Sequence, residues 1–344
     1  MKKIISFFIV VLILLAGITA WLLLGSGTAF AEKNKFFIIT ENETTPTEVV
    51  SVLEQKYIVK NTTIFSLFAN ALGIWKNVKP GKYEVKKGAS IVDIARMLKN
   101  GKQAEIKLVI NKVRLKEDLA KLIGKSFSTD STEAMLFLTS NDSLRSFGVD
   151  TNTVFTMILP DTYTFYWNTP LQKIFTKLKT ANDNFWAKNN RKEKAASVGL
   201  TPEAVYTLAS IVEEETNYND DRAKIASVYI NRLNINMPLQ ACPTIKYAMK
   251  DFSITRIYEK YLFNPSLYNT YRLKGLPPGP ICTPSPKCID IVLDAPKTNY
   301  LYFVAKANFD GYHHFSSNYA EHNAYAKEYQ KALDIYMAKK KQQP

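Results

Sequence analysis

The chain has 344 residues, 46% hydrophobic and 22% charged, which suits about two folded domains and excludes collagen-like, disordered and low-complexity classes. Its formal charge of +14 favours polyanionic partners: nucleic acid, anionic lipid headgroups or an acidic cell-wall polymer. No paired Cys/His finger, aromatic RNP string or basic zipper is present, so nucleic acid is the weaker expectation, and three cysteines argue against a disulfide framework.

Lys2 and Lys3 precede an uncharged apolar run, Ile4–Leu24, of 21 residues. Roughly 20 helical residues span a hydrocarbon core of about 30 Å. Residues 1–25 therefore read as a single-pass anchor. The lysine pair leaves the short tail inside and places the bulk of the chain on the outer, periplasmic side of the cell membrane. The rival reading is a cleaved signal peptide, because Ala29-Phe30-Ala31 has the small-x-small form of a cleavage site. No cysteine follows the run to make a lipoprotein.

Lys35–Thr40 reads as a strand, Thr47–Leu53 and Ile64–Leu72 as helices, and Tyr83 and Val85 alternate as in a second strand. Ser90 is an N-cap for a helix whose stripe is Ile91, Ile94, Ala95 and Leu98, with Gly101 as its stop. A glycine turn followed by a capped helix is how a LysM module begins; any small α/β unit is the plainer reading. Ala104–Ile110 is a further strand, with helices at Leu115–Leu122 and Glu133–Leu138. The aromatic stretch Leu159–Trp167 then leads into a long helix, Leu171–Asn189. A module over 33–104 and a second domain over 105–340 follow from this order.

Thr201-Pro202-Glu203 is a helix start: an N-cap, proline in the first turn and an acid beside the positive end of the dipole. The helix runs into Glu213-Glu214-Glu215. At about 100° per residue, Glu215 falls within the stripe of Val205, Leu208, Ile211 and Val212, while Glu213 and Glu214 fall outside it. Those two are expected to form a solvated pair. A carboxyl on an apolar face loses solvation and holds its proton to higher pH, as a general acid for glycosidic bonds must. The plainer alternative is a buried glutamate paired with Arg222 or Arg232.

Ala209–Thr216 (ASIVEEET), Ala226–Leu233 (ASVYINRL), Met237–Gln240, Pro243–Tyr247, Tyr268–Tyr271, Gly275–Ile281, His314–Ser316 and Leu159–Tyr163 (LPDTY) follow one another in an order and spacing that resembles the MltG (YceG-like) family of endolytic murein transglycosylases. The resemblance covers essentially the whole chain. It implies an α+β fold with an N-terminal transmembrane helix, a LysM-like subdomain and a catalytic domain with a lysozyme-like acid. It also implies a lyase that cuts nascent peptidoglycan strands to leave a 1,6-anhydro-N-acetylmuramic acid end; no cofactor or metal is expected. The family's catalytic glutamate maps onto Glu215. Asn231, Gln240, Thr244, Tyr247, Asn269 and Tyr271 would line the glycan cleft, and peptidoglycan synthases are the protein partners to expect.

The family's aspartate before Pro-Thr is Cys242 here, a departure that bears on the loop's orientation. His313, His314 and His322 with Cys282 or Cys288 match no closed zinc spacing, and Cys282 and Cys288 are within reach of a disulfide by sequence. The alternative function is a non-catalytic, membrane-tethered glycan-binding scaffold, against which a carboxyl kept on an apolar stripe would argue.

Overall fold

The structure, a computed structural model, describes residues 2–342, with side chains from 3 to 338. The C-terminal lysines 339–341 thus lie outside the described side chains. Tertiary contacts divide the chain into two compact units. The first runs to Lys107 and adds Ser126–Thr129 and Thr164–Pro170; the second holds Leu108–Lys125, Asp130–Tyr163 and the chain from Leu171 on.

The first unit begins with α1 (Lys2–Leu24), whose apolar side chains stand exposed and whose Lys3–Leu24 stretch has a mean hydropathy of 2.9. Next come β1 (Asn34–Ile39), α2 (Pro46–Gln55), α3 (Thr62–Ala71), β2 (Gly81–Lys86) and α4 (Ile91–Lys99). β1 and β2 pair antiparallel, with Phe37 opposite Tyr83 and both rings buried. Ser90 and Asp93 form a reciprocal capping box on α4, and Gly101, at φ 59°, takes the left-handed conformation that ends the helix without Cβ strain. Ile39, Leu53, Ile58, Phe65, Ile94 and Leu98 complete a core closed to water.

The segment between α1 and β1 is sewn into this unit. Ser26 bridges to Ser90 and Thr28 to Val59. Gly27 N donates to Ala89 O, Ala29 N to Ile58 O and Lys60 N to Gly27 O, at 3.0, 3.2 and 2.8 Å. Thr28 and Phe30 are buried.

Further along lie β3 (Glu105–Ile110), α5 (Lys116–Ser126), α6 (Ser131–Thr139), α7 (Asn141–Arg145), β4 (Asp161–Tyr166) and α8 (Leu171–Trp186); β3 pairs with β4. Then follow α9 (Arg191–Ser197), α10 (Pro202–Glu215), α11 (Asn219–Asn234), α12 (Cys242–Ala248), α13 (Pro286–Leu293), β5 (Tyr302–Ala305), β6 (His313–Ser316) and α14 (Tyr319–Gln342), with β5 and β6 antiparallel. The chain is thus a mixed α/β protein with small paired strands. The long helix expected over Leu171–Asn189 stops at Trp186, because Asn189 and Asn190 sit at φ 59° and 52°, which breaks it from α9. α11 starts seven residues before the expected Ala226, since its first turn carries Asp220 and Asp221 rather than apolar residues.

α10 is the axis of the second unit. Every residue from Val205 to Val212 is buried, and α11, α12, α13 and the turn Val154–Met157 pack around it. The fully buried Tyr206 donates its hydroxyl hydrogen to Ile158 O at 2.5 Å.

Candidate active site

Thr201 Oγ1 accepts from Ala204 N at 3.2 Å and Pro202 occupies the first turn, so the start of α10 is set locally. Its C-terminal end is set against local preference. Three glutamates occupy the last turn, where the dipole favours cations. Such a conflict persists only where the surroundings compensate it.

Compensation differs for each glutamate. Glu213 Oε1 meets Arg222 Nη2 at 3.2 Å, and its Oε2 accepts from Ser285 Oγ at 2.9 Å. Glu214 accepts two parallel hydrogen bonds from Arg114, at 3.0 and 2.9 Å, and Lys112 Nζ stands 3.1 Å away. Both side chains are only 13% exposed. The expected solvated pair is therefore corrected: Glu213 and Glu214 are packed ion-pair partners. A wheel assigns one wet face to a helix, and α10 has none from Val205 to Val212. Burial works against the charged form of Glu214, yet Arg114 and Lys112 hold its carboxyl below the usual range.

Glu215 forms no ion pair among the described residues. Its Oε1 accepts from Tyr229 Oη at 2.5 Å. The residue as a whole is half-buried, but its carboxyl has lost most of its solvation, and this pushes its pKa up to about 7. The Tyr229 hydrogen bond, Lys246 and Arg232 hold the rise back, and Glu214 adds to it. Of the two arginines named as alternative partners, Arg222 pairs with Glu213, and Arg232 donates to the Leu301, Pro238 and Leu239 carbonyls.

The walls come from three places. Thr283 exchanges hydrogen bonds with Val113, its N donating to Val113 O at 2.8 Å and its Oγ1 accepting from Val113 N at 2.9 Å; this pins the segment that carries Lys112 and Arg114. Ile281 N donates to Ser210 Oγ at 3.0 Å, docking the Gly275–Ile281 loop on α10. In that loop Gly279 lies so close to the Asn152 carbonyl that any Cβ would collide with it. Finally, α12 presents Cys242 and Lys246. Cys242 Sγ lies 3.1 Å from Tyr271 Oη, and burial with the nearby Glu215 pushes its thiol pKa up. A cavity of about 100 Å³ opens between Arg114, Glu214, Pro243, Lys246, Phe252 and Ile281.

The six residues named for a glycan cleft fall into distinct settings. Tyr271 joins Cys242 beside Glu215. Thr244 and Asn269 are fully buried: Thr244 Oγ1 donates to Ala241 O, and the Asn269 amide donates to the Leu262 and Asn264 carbonyls. The Asn231 amide likewise serves the Thr298 and Tyr300 carbonyls, both at 2.9 Å. Gln240 is exposed, at φ 51°. Tyr247 packs on Tyr268 and borders a separate cavity of about 260 Å³ with Lys116 and Lys250. Missing from the sequence reading as site residues were Tyr229 and Lys246, while Arg232 entered it as a possible ion-pair partner. The signal for Tyr229 was available, a polar-tipped side chain within the apolar stripe of α11.

Cys282 and Cys288 are free thiols that donate weakly to the Ser210 and Ala209 carbonyls. His313 Nδ1 pairs with Asp221 at 2.9 Å, His314 stacks on Tyr325 and His322 on Tyr302.

The model of the YceG-like family matches residues 38–328. An endolytic murein transglycosylase of Bacillus subtilis (strain 168) is 28% identical over 297 residues, covering 82% of this chain and 81% of the relative. One of Streptococcus pneumoniae serotype 2 is 28% identical over 306 residues, and there the chain spans 55% of the relative's length. A crystal structure of a YceG-like protein from Listeria monocytogenes superposes with a TM-score of 0.55 at 27% identity, covering 86% of this chain and 99% of that one.

Proposed function

The chain belongs to the YceG-like family, and from that premise we propose that it is a membrane-anchored endolytic murein transglycosylase, a lyase, in which Glu215 is the single acid and base. The observation that carries the assignment to Glu215 is the contrast among neighbours. Glu213 and Glu214 are each paired with cations, whereas Glu215, with no ion pair among the described residues, accepts from a phenol and keeps its proton near neutral pH.

The reaction needs one carboxyl used twice. Protonated Glu215 gives its proton to the glycosidic oxygen between N-acetylmuramic acid and N-acetylglucosamine, and the C1–O bond breaks with the electron pair leaving on that oxygen. The carboxylate then removes the proton of the muramyl 6-hydroxyl as O6 bonds to C1. The 1,6-anhydro ring closes, Glu215 is protonated again and no water is consumed. A hydrolase would instead use a second carboxylate to activate water or to form a covalent intermediate. The other two carboxylates at the end of α10 are committed to ion pairs.

The remaining parts fit the same role. α1 anchors the chain in the cell membrane, with the two lysines inside and the chain after α1 outside. Retention of the anchor is supported by the Ser26–Ala31 segment, which a cleavage after Ala31 would strip from the first unit. Within that unit, 33–104 is a LysM-like module, its glycine turn and capped α4 suiting it to glycan, and the catalytic domain is 105–340. Peptidoglycan strands are the substrate and peptidoglycan synthases the natural protein neighbours. Mass spectrometry of purified peptidoglycan digested with the chain lacking α1 tests the assignment. Anhydro-ended fragments are expected from the wild type and none from Glu215→Gln; reducing ends, or equal products from both, would overturn it.

A further inference from the structure

We infer that Tyr229 is a positioning residue for this reaction, its phenolic O–H holding Oε1 of Glu215 as a standing acceptor and so confining the transferable proton to Oε2. The inference rests on the reading of Glu215 as the acid and base, and deepens it.

Tyr229 is fully buried on α11, with its ring edge-on to Phe303 at 5.8 Å, so the phenol has a fixed direction. Its hydroxyl reaches Glu215 Oε1 at 2.5 Å. Burial, and after it the neighbouring Glu215, push its own ionisation well above the ordinary phenol value, so it is a donor throughout the working pH range. A neutral carboxyl carries its proton on one oxygen. Were that oxygen Oε1, two O–H groups would face each other and one buried donor would go unsatisfied. An unsatisfied buried donor costs about 1–3 kcal/mol, a preference of roughly 5- to 150-fold for the proton on Oε2.

The same bond acts differently as the reaction proceeds. Against a neutral carboxyl it is an ordinary hydrogen bond; against the carboxylate left by proton transfer it is charge-assisted and stronger. Tyr229 therefore favours the state reached when Glu215 has given its proton away, and keeps the carboxylate oriented for the 6-hydroxyl. The other groups facing Glu215 are Arg232 on α11, Cys242 and Lys246 on α12, Tyr271 and its own neighbour Glu214. Arg232 is spent on three carbonyls, Cys242 and Tyr271 on each other, and Lys246 acts on Glu215 through charge alone, which leaves the Tyr229 phenol as the donor that sets the carboxyl's direction.

The test is Tyr229→Phe, which keeps the ring and removes the donor. Its kcat and KM on purified peptidoglycan are measured from pH 5 to 9, with thermal unfolding. A fall in kcat of about tenfold or more is expected. KM should stay within about twofold, and the alkaline limb should move upward because the charged form has lost a hydrogen bond. Isotope-edited infrared titration of the Glu215 carboxyl should show the same upward move without reference to turnover. Tyr229→3-fluorotyrosine, a stronger donor of nearly the same shape, should move both limb and titration downward, and it serves if Tyr229→Phe unfolds. An unmoved limb and titration in these variants would overturn the inference. Failure of the underlying reading looks different: the wild type would make no anhydro product, or Glu215→Gln would still make it.

Discussion

The guanidinium of Arg114 and the carboxylate of Glu214 meet through two parallel hydrogen bonds, one hundred residues apart in sequence. With the Glu213–Arg222 pair, this contact places two of the three glutamates in structure rather than in solvent.

Glu213→Gln should therefore destabilise the protein by about 2–4 kcal/mol, because Arg222 is left nearly buried and unpaired. Glu214→Gln should cost less, about 1–2 kcal/mol, since Arg114 and Lys112 are roughly a third exposed and can turn to water. Urea unfolding measures both. Turnover per folded molecule should stay within a few-fold of wild type, and a stability-neutral Glu213→Gln would contradict the packing described.

Glu215→Gln should lose anhydro-product formation by at least about 10²–10⁴-fold while retaining its fold and its binding to sacculi. Its stability should differ from wild type in a pH-dependent way. In the wild type the folded carboxyl binds its proton up to about pH 7, whereas the unfolded one releases it near 4.5. Stability from this group is thus full below 4.5 and falls as pH rises towards 7. The Gln variant lacks that loss, so its relative gain should grow through this window and reach at most about 3 kcal/mol above it. Equal pH profiles for the two proteins would refute a raised carboxyl.

For the wild type, kcat/KM should decline above about pH 7, where Glu215 loses its proton in the free enzyme. Lys246→Ala removes a cation that favours the carboxylate, so the declining limb should shift to higher pH. A downward shift would mean that Lys246 does not act on Glu215 through charge.

The mature chain should retain Ser26–Ala31. Intact-mass analysis of the membrane-extracted protein checks this, and a mature N-terminus at Glu32 would refute it. As a companion measurement, a soluble chain starting at Glu32 should melt below one starting at Ser26. It lacks the bridges to Ser90 and Val59, and the buried Phe30 ring is worth about 1.5–3 kcal/mol.

What was legible in the sequence was local. Thr201, Ser90 and Gly101 announce helix ends through chemistry that acts within one turn, and the order of short strands and helices follows from periodicity. The inward direction expected for Glu215 on α10 agrees with its desolvated carboxyl. The same wheel misplaced Glu213 and Glu214, because their partners Arg222, Ser285, Arg114 and Lys112 come from other segments that no periodicity of α10 reveals. The break at Asn189–Asn190 was hidden too: asparagine tolerates the left-handed conformation without demanding it. Thr244 and Asn269 show the converse limit, since polar residue types suited to sugar are equally suited to holding a loop from within.

The residues between α1 and β1 have their own mechanical meaning. Were residues 25–33 a loose leash, the first unit could wander by up to roughly 30 Å from the end of α1. Sewn down by Gly27, Thr28 and Ala29, that stretch is instead a stalk of fixed length. With α1 in the membrane, as proposed, the first unit would ride at constant height over the bilayer. Under the proposed glycan-binding role, glycan would be met in one shallow layer above the lipid, and lengthening the stalk would extend that reach only by unpicking the fold.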